Sequence, residues 1–175
     1  MHLPDNILHK IDVLNNLTPA QVDLLLEAAI PKRLYEGEIL FAEGSKGNCL
    51  YVVLQGTLTA NIKHGTRAEK KLATISAGAS LGEVAMLTGS ERTATMQAIS
   101  PCLVMQITKE AIQKAGLGAV IYQNIARMLA ERLAKMNEKA ARTAGFAETH
   151  VGYKSDLIEK DKGPNVYDKY GWLNT

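Results

Sequence analysis

Eight glycines (Gly37, Gly44, Gly47, Gly56, Gly65, Gly78, Gly82 and Gly89) punctuate the stretch from Pro31 to about Thr108 and separate short β-prone runs. Between them lie RLYEGEILF, CLYVVLQGTLTANI, KKLATIS, ATMQAI and CLVMQIT, all rich in β-branched or large apolar residues. Runs of this length joined by glycine turns fold back on one another, whereas parallel βαβ units would need longer helical crossovers. The pattern predicts a mainly β sandwich or barrel. One stretch departs from it. GEVAMLTGSE carries Glu83 in what would be a first turn, followed by Ala85, Met86 and Leu87, and so predicts a single short helix between strands.

Both flanks of this region turn helical. Ile7 to Ile30 predicts short helices with Val13, Leu14 and Leu17 as apolar positions, and Thr18 can cap a helix that has Pro19 at its first position. After Thr108 come KEAIQKAG and the longer AVIYQNIARMLAERLAKMNEKAARTAG, which Gly145 can end. In the longer piece Tyr122, Ala126, Leu129, Leu133, Met136 and Ala140 are spaced 4, 3, 4, 3, 4, a heptad seam. That seam suits either packing on the chain's own barrel or a coil with a second copy. The expected organisation is a helical lead-in over 1–30, a β-barrel over 31–108, C-terminal helices over 109–145 and a tail over 146–175.

At 175 residues with 46% apolar content, the chain fits one ordinary soluble domain and needs no staple. Cys49 and Cys102 lack CxxC or Cys/His spacing, and His2, His9, His64 and His150 are scattered, so neither disulfide nor metal is expected. A reducing cytoplasm is the simplest setting. MHLPDNILHK has no leader pattern, and no apolar run approaches the ~20 residues of a membrane span. A net charge of +2 gives no electrostatic argument for nucleic acid. Ser90 has no histidine or acid in a nucleophile arrangement, so no enzyme is expected. Aromatics are concentrated at one end: Phe146, Tyr153, Tyr167, Tyr170 and Trp172 all fall in the tail.

The chemistry gathers around the short helix. Gly82 lets backbone approach closely, and a helix starting near Glu83 offers free N–H groups to an anion. Arg92, nine residues beyond Glu83 and past a Gly-Ser loop, can fold back over that helix start and grip a phosphate through paired N–H bonds. Glu83, once ionised, only accepts, so a hydroxyl is its natural partner. An anion and a hydroxyl held side by side describe a phosphorylated sugar.

These residues resemble the phosphate-binding cassette of the cyclic-nucleotide-binding domain family, of the catabolite-activator and protein-kinase-regulatory-subunit type: Gly-Glu, a short helix, then Arg-X-Ala. The YEGEILFAEG segment from Tyr35 to Gly44 and GNCLYVVLQG from Gly47 to Gly56 are similar to its first barrel strands, and Leu14-Asn-Asn-Leu17 to its helical entry. Four motifs in order, spanning roughly residues 10–142, make the resemblance specific. It implies an eight-stranded antiparallel jelly-roll β-barrel with N-terminal helices and a long C-terminal helix, in a form without a helix-turn-helix domain. It further implies that Arg92 pairs with a cyclic phosphate and Glu83 accepts from the ribose 2′-OH. Backbone amides at Gly82, Val84, Ala85, Thr93 and Ala94 would line the rest, with the Thr93 hydroxyl beside the phosphate or purine. KMNEK aligns with the segment that meets the base, which makes Met136 and Asn137 candidates. Two residues depart from the pattern: Leu81 replaces an aromatic, and Glu91 stands where proline is common and where an acid could compete for Arg92.

The implied function is a cyclic nucleotide receptor that changes conformation on binding and regulates a partner protein, with cyclic AMP favoured over cyclic GMP and no cofactor. The helix over 119–143 would swing toward the base, and it is also the candidate homodimer surface. The tail would dock on the domain, cover the base or anchor a partner. DNA binding is not expected, because the residues after Gly145 lack an amphipathic basic recognition helix. The alternatives are a degenerate domain acting only in protein interaction, or a reduced transcription regulator.

Overall fold

The run RLYEGEILF is not one strand but two, because Gly37 adopts φ 87° and turns the chain between them. In a computed structural model that describes residues 10–143, Ile30–Leu34 forms β1 and Ile39–Phe41 forms β2, in different sheets. The turn is fastened at both ends: Glu38 Oε2 accepts from the Tyr35 N–H (2.8 Å), and the Gln97 amide donates to the Gly37 carbonyl (2.9 Å). Gly56 (φ 84°) divides CLYVVLQGTLTANI in the same way into β3, Cys49–Gln55, and β4, Thr57–Ile62. KKLATIS is β5, Lys70–Ser76, and CLVMQIT is β8, Cys102–Thr108, while ATMQAI contributes β7, Thr95–Ala98. The strand β6, Ser80–Leu81, is two residues long, too short to leave a period in the sequence.

The eight strands form two antiparallel sheets, ordered β1-β8-β3-β6 and β2-β7-β4-β5, which is the jelly-roll arrangement. Alternation along β3 explains why CLYVVL is buried on both faces. Cys49, Tyr51 and Val53 point between the sheets with Leu58, Leu81, Ala98 and Val104. Leu50, Val52 and Leu54 point the other way with Met105 and Ile107, into a second cluster that includes Val22, Leu25, Ile112, Ile121 and Ile125 from the helices.

Four helices supply that outer layer and the site. α1, Pro19–Glu27, starts with a capping box in which Thr18 accepts from the Gln21 N–H and Gln21 returns a bond to the Thr18 N–H. α2 is Glu83–Thr88, α3 is Lys109–Lys114, and α4 is Gly118–Thr143. α4 buries Ile121, Asn124, Ile125 and Met128, spaced as one helical face. Asn124 pins this face to the entry segment by donating to the carbonyls of Val13 (3.1 Å) and Asn15 (2.6 Å). The heptad seam is split: Tyr122 and Leu129 are half-buried against the core, while Ala126 is exposed and Leu133 is 58% exposed. By compactness the chain divides into Met1–Leu133 and Ala134–Thr175, and α4 runs across that division. The expected stop at Gly145 and the aromatic tail lie outside the described residues.

Candidate functional site

The site is built where β6 meets α2. Gly82 caps α2 in the left-handed region (φ 83°, ψ 5°), and a Cβ there would collide with Nη1 of Arg92. Glycine is thus required twice, for its dihedral and for its size. The first backbone bond into the helix runs from the Met86 N–H to the Gly82 carbonyl (3.3 Å), so the N–H groups of Glu83, Val84 and Ala85 have no helical acceptor. Gly89 (φ 70°) ends the helix.

Arg92 is 4% exposed. The β2–β3 loop holds its backbone: the Arg92 N–H donates to the Ser45 carbonyl and the Arg92 carbonyl accepts from the Gly44 N–H, both at 2.8 Å. Its side chain turns inward between the sheets, where Nη1 donates to the Gly82 carbonyl (2.7 Å) and Nη2 to the Cys49 carbonyl (2.9 Å), with Cys49 Sγ at 3.4 Å. The guanidinium lies against Gly47, where any side chain would strike Cζ and Nε. Its remaining buried donor, Nε, has no hydrogen-bond partner. Among the described residues no carboxylate lies within ion-pair distance of it. Glu91 does not compete for it: the Arg92 side chain bonds only Gly82 and Cys49, and Glu91 is exposed at a backbone bridge with Lys46.

Glu83, 3% exposed, shares the helix start with Arg92 but not a bond. Its Oε1 accepts from Ser80 Oγ (3.2 Å) and from Arg132 Nη1 (2.8 Å), while Arg132 Nη2 reaches the Ser80 carbonyl (3.2 Å). Arg132 comes from α4, 49 residues away in sequence but within the same compact unit. Of the other expected residues, Ala85 and Ala94 are buried, Thr93 is exposed, and Val84 is 40% exposed. Leu81 is 3% exposed between the sheets, so its replacement of an aromatic stays apolar. Met136 and Asn137 stand on the part of α4 beyond Leu133, both exposed on that segment.

Sequence reasoning missed Arg132, Ser80, Gly47, Cys49, Phe41 and Tyr51. Gly47 carried the best signal, a glycine inside a recognised motif without a turn to make. Arg132 carried little, since one of five basic residues on a helix looks like solvated charge. Among the described residues no three His, Cys, Asp or Glu side chains gather where a metal could sit, and no helix is long and apolar enough to cross a membrane.

Residues 31–116 match the model of the cyclic nucleotide-binding domain. The chain is 32% identical over 124 residues to the cyclic AMP receptor protein of Thermus thermophilus, covering 68% of this chain and 56% of that protein. It is 28% identical over 111 residues to the cGMP-dependent protein kinase of Eimeria tenella, covering 62% of this chain and 11% of the kinase. The solved structure of the Thermus thermophilus catabolite activator protein superposes with a TM-score of 0.68 at 25% identity, over 76% of this chain and 63% of that one. The chain therefore carries a domain of the cyclic nucleotide-binding family, a regulatory rather than catalytic module. Its relatives include a cyclic AMP receptor and a kinase whose length it spans only in part.

Proposed function

We propose that this chain is a cyclic nucleotide receptor, with the phosphate held at Arg92 and the start of α2 and the ribose 2′-hydroxyl at Glu83. One observation carries the reading: a guanidinium 4% exposed, with one donor unpartnered and, among the described residues, no carboxylate within ion-pair distance. Burying a cation without an anion is costly, and such a group is stable here only because two carbonyls and the missing side chain of Gly47 accommodate it. A bound phosphate supplies the absent negative charge, and the free amides of Glu83, Val84 and Ala85 add to its field. Backbone near Thr93 and Ala94 completes the lining, with the Thr93 hydroxyl beside phosphate or purine.

A cyclic nucleotide of about 22 heavy atoms at roughly 0.3–0.4 kcal/mol per atom has a dissociation constant on the order of micromolar. Cyclic AMP is favoured over cyclic GMP, with Met136 and Asn137 as base contacts. The output is a change in α4 that a partner protein reads, since a receptor acts through differential affinity for two states. The exposed seam positions Ala126 and Leu133 make a second copy a candidate partner, DNA is not expected, and the setting is cytoplasmic. A second reading has support of its own: Glu83 already holds Arg132 and Ser80, which suits a domain that has lost its ligand and serves only in protein interaction.

A melting-temperature screen against cyclic AMP, cyclic GMP and their non-cyclic monophosphates tests both. The receptor reading expects a concentration-dependent rise with a cyclic nucleotide and little with the linear forms. No rise with either cyclic nucleotide leaves the interaction module. Cutting the chain after Gly145 should leave affinity unchanged unless the tail covers the base.

A further inference from the structure

Only four aromatic residues precede position 146, and two of them, Phe41 and Tyr51, lie stacked at the Arg92 guanidinium. Their ring centroids are 5.7 Å apart with planes inclined by 28°. Cζ of Arg92 sits 4.3 Å from the Phe41 centroid and 5.7 Å from that of Tyr51, and Lys32 Nζ lies 5.8 Å from the Tyr51 centroid. We propose that Phe41 and Tyr51 are positioning residues of the anion site, their ring faces fixing the Arg92 guanidinium so that its unpartnered Nε edge stays available to a phosphate; this rests on the receptor reading above.

The argument starts from what a guanidinium needs when it leaves water. Two carbonyls accept from Nη1 and Nη2, but they fix only the outer end of the group. The flat faces remain, and an aliphatic wall would offer them nothing electrostatic. An aromatic face within about 6 Å presents its negative quadrupole to the cation, and the planar guanidinium stacks on it where an ammonium would not lie flat. Phe41 then holds the guanidinium by attraction, and Gly47 leaves the room it occupies. Burial raises the Tyr51 hydroxyl above its ordinary value, so the ring stays a neutral phenol and does not itself become the counter-ion of Arg92. The stack therefore stabilises the cation without neutralising it, which leaves the charge for a ligand. Phe41 also explains the placement of β2: one half-buried ring on a three-residue strand reaches the site from the opposite sheet.

The test measures cyclic AMP binding by calorimetry, and the unliganded melting temperature, for the full chain and its Phe41→Leu, Phe41→Met and Phe41→Tyr variants. Leucine and methionine keep an apolar side chain and remove the π face; tyrosine keeps both. Affinity should fall by about 3- to 30-fold in Phe41→Leu and Phe41→Met and stay within about twofold in Phe41→Tyr. The Arg92 Nε–H resonance, shifted by the ring current of Phe41 in the unliganded protein, should move toward its ordinary position with leucine or methionine and not with tyrosine. Should Phe41→Leu fold poorly, Phe41→Met carries the comparison. Binding within twofold of the native chain in both aliphatic variants, or equal loss in Phe41→Tyr, overturns the inference. Absence of binding by the native chain defeats the receptor reading instead, and the resonance then still decides whether the rings hold Arg92.

Discussion

Two arginines reach the start of α2, and they are held in opposite ways. Arg92 arrives from the barrel, 4% exposed, and rests on carbonyls and ring faces, with no carboxylate within ion-pair distance among the described residues. Arg132 arrives from α4 with its side chain 47% exposed and pairs directly with the carboxylate of Glu83. The difference separates a fixture from a clasp. Arg92 is held by the Gly82 and Cys49 carbonyls, the Phe41 ring and the close approach of Gly47, so moving it means disturbing β3 and the start of α2. Arg132 is half in water, whereas the Glu83 carboxylate it pairs with is 3% exposed, so that bond is given up cheaply only where another donor reaches the carboxylate. A helix tethered through such a pair can shift when a ligand engages Glu83.

Replacing Arg92 should break the contrast most severely. Arg92→Ala is expected to weaken cyclic nucleotide binding by about 2–3 kcal/mol, roughly 30- to 150-fold, read by calorimetric titration. Unchanged affinity would remove phosphate from the account of this site. Gly47→Ala comes next, because its Cβ displaces the guanidinium from the Cys49 and Gly82 carbonyls without touching the charge. Denaturant unfolding should show a loss of roughly 1–3 kcal/mol, with weaker nucleotide binding alongside. Arg132→Gln is expected to cost about 1–2 kcal/mol, reduced only in part by salt, since half of the arginine side chain is in solvent but the Glu83 carboxylate it leaves is 3% exposed. A loss as large as that of Arg92→Ala, insensitive to salt, would make the clasp a second fixture.

The smallest effect lies at the β4–β5 hairpin, far from both arginines in character. Glu69 accepts from His64 Nδ1 (2.8 Å) and from the Gly65 N–H (3.0 Å), which hold its carboxyl below the ordinary 4.5. A depressed carboxyl contributes above its unfolded value and loses that contribution as the pH falls through the folded one. An NMR titration should find Glu69 ionising below the ordinary glutamate range, and His64→Ala should return it toward that range. Nucleotide affinity should be indifferent to it.

Much of this could be read from the order of residues. KKLATIS and CLVMQIT form strands with the boundaries their texture suggests, and Thr18-Pro19 starts α1 as its cap chemistry requires. Gly82, Glu83 and Arg92 fall together because all three belong to one short strand-helix-loop segment, and local chemistry leaves few ways to arrange it. The breaks inside RLYEGEILF and CLYVVLQGTLTANI were less legible, since Gly37 and Gly56 within apolar runs suit a bulge as well as a turn. β6 left no trace because two residues have no period.

What the chain alone determined is the alternation of strands and glycine turns, the short helix with an acid at its start, and an arginine placed to return to it. Each is a local property, written in propensity, capping and spacing over ten residues or fewer. Tertiary structure decided who attends that arginine and that acid. Phe41 comes from the other sheet, Cys49 from β3 and Arg132 from α4, and each meets the site only because packing two sheets and a helix brings distant side chains to one end of the barrel. Contacts of that kind are set by the packing geometry of whole elements, and no short stretch of sequence encodes them.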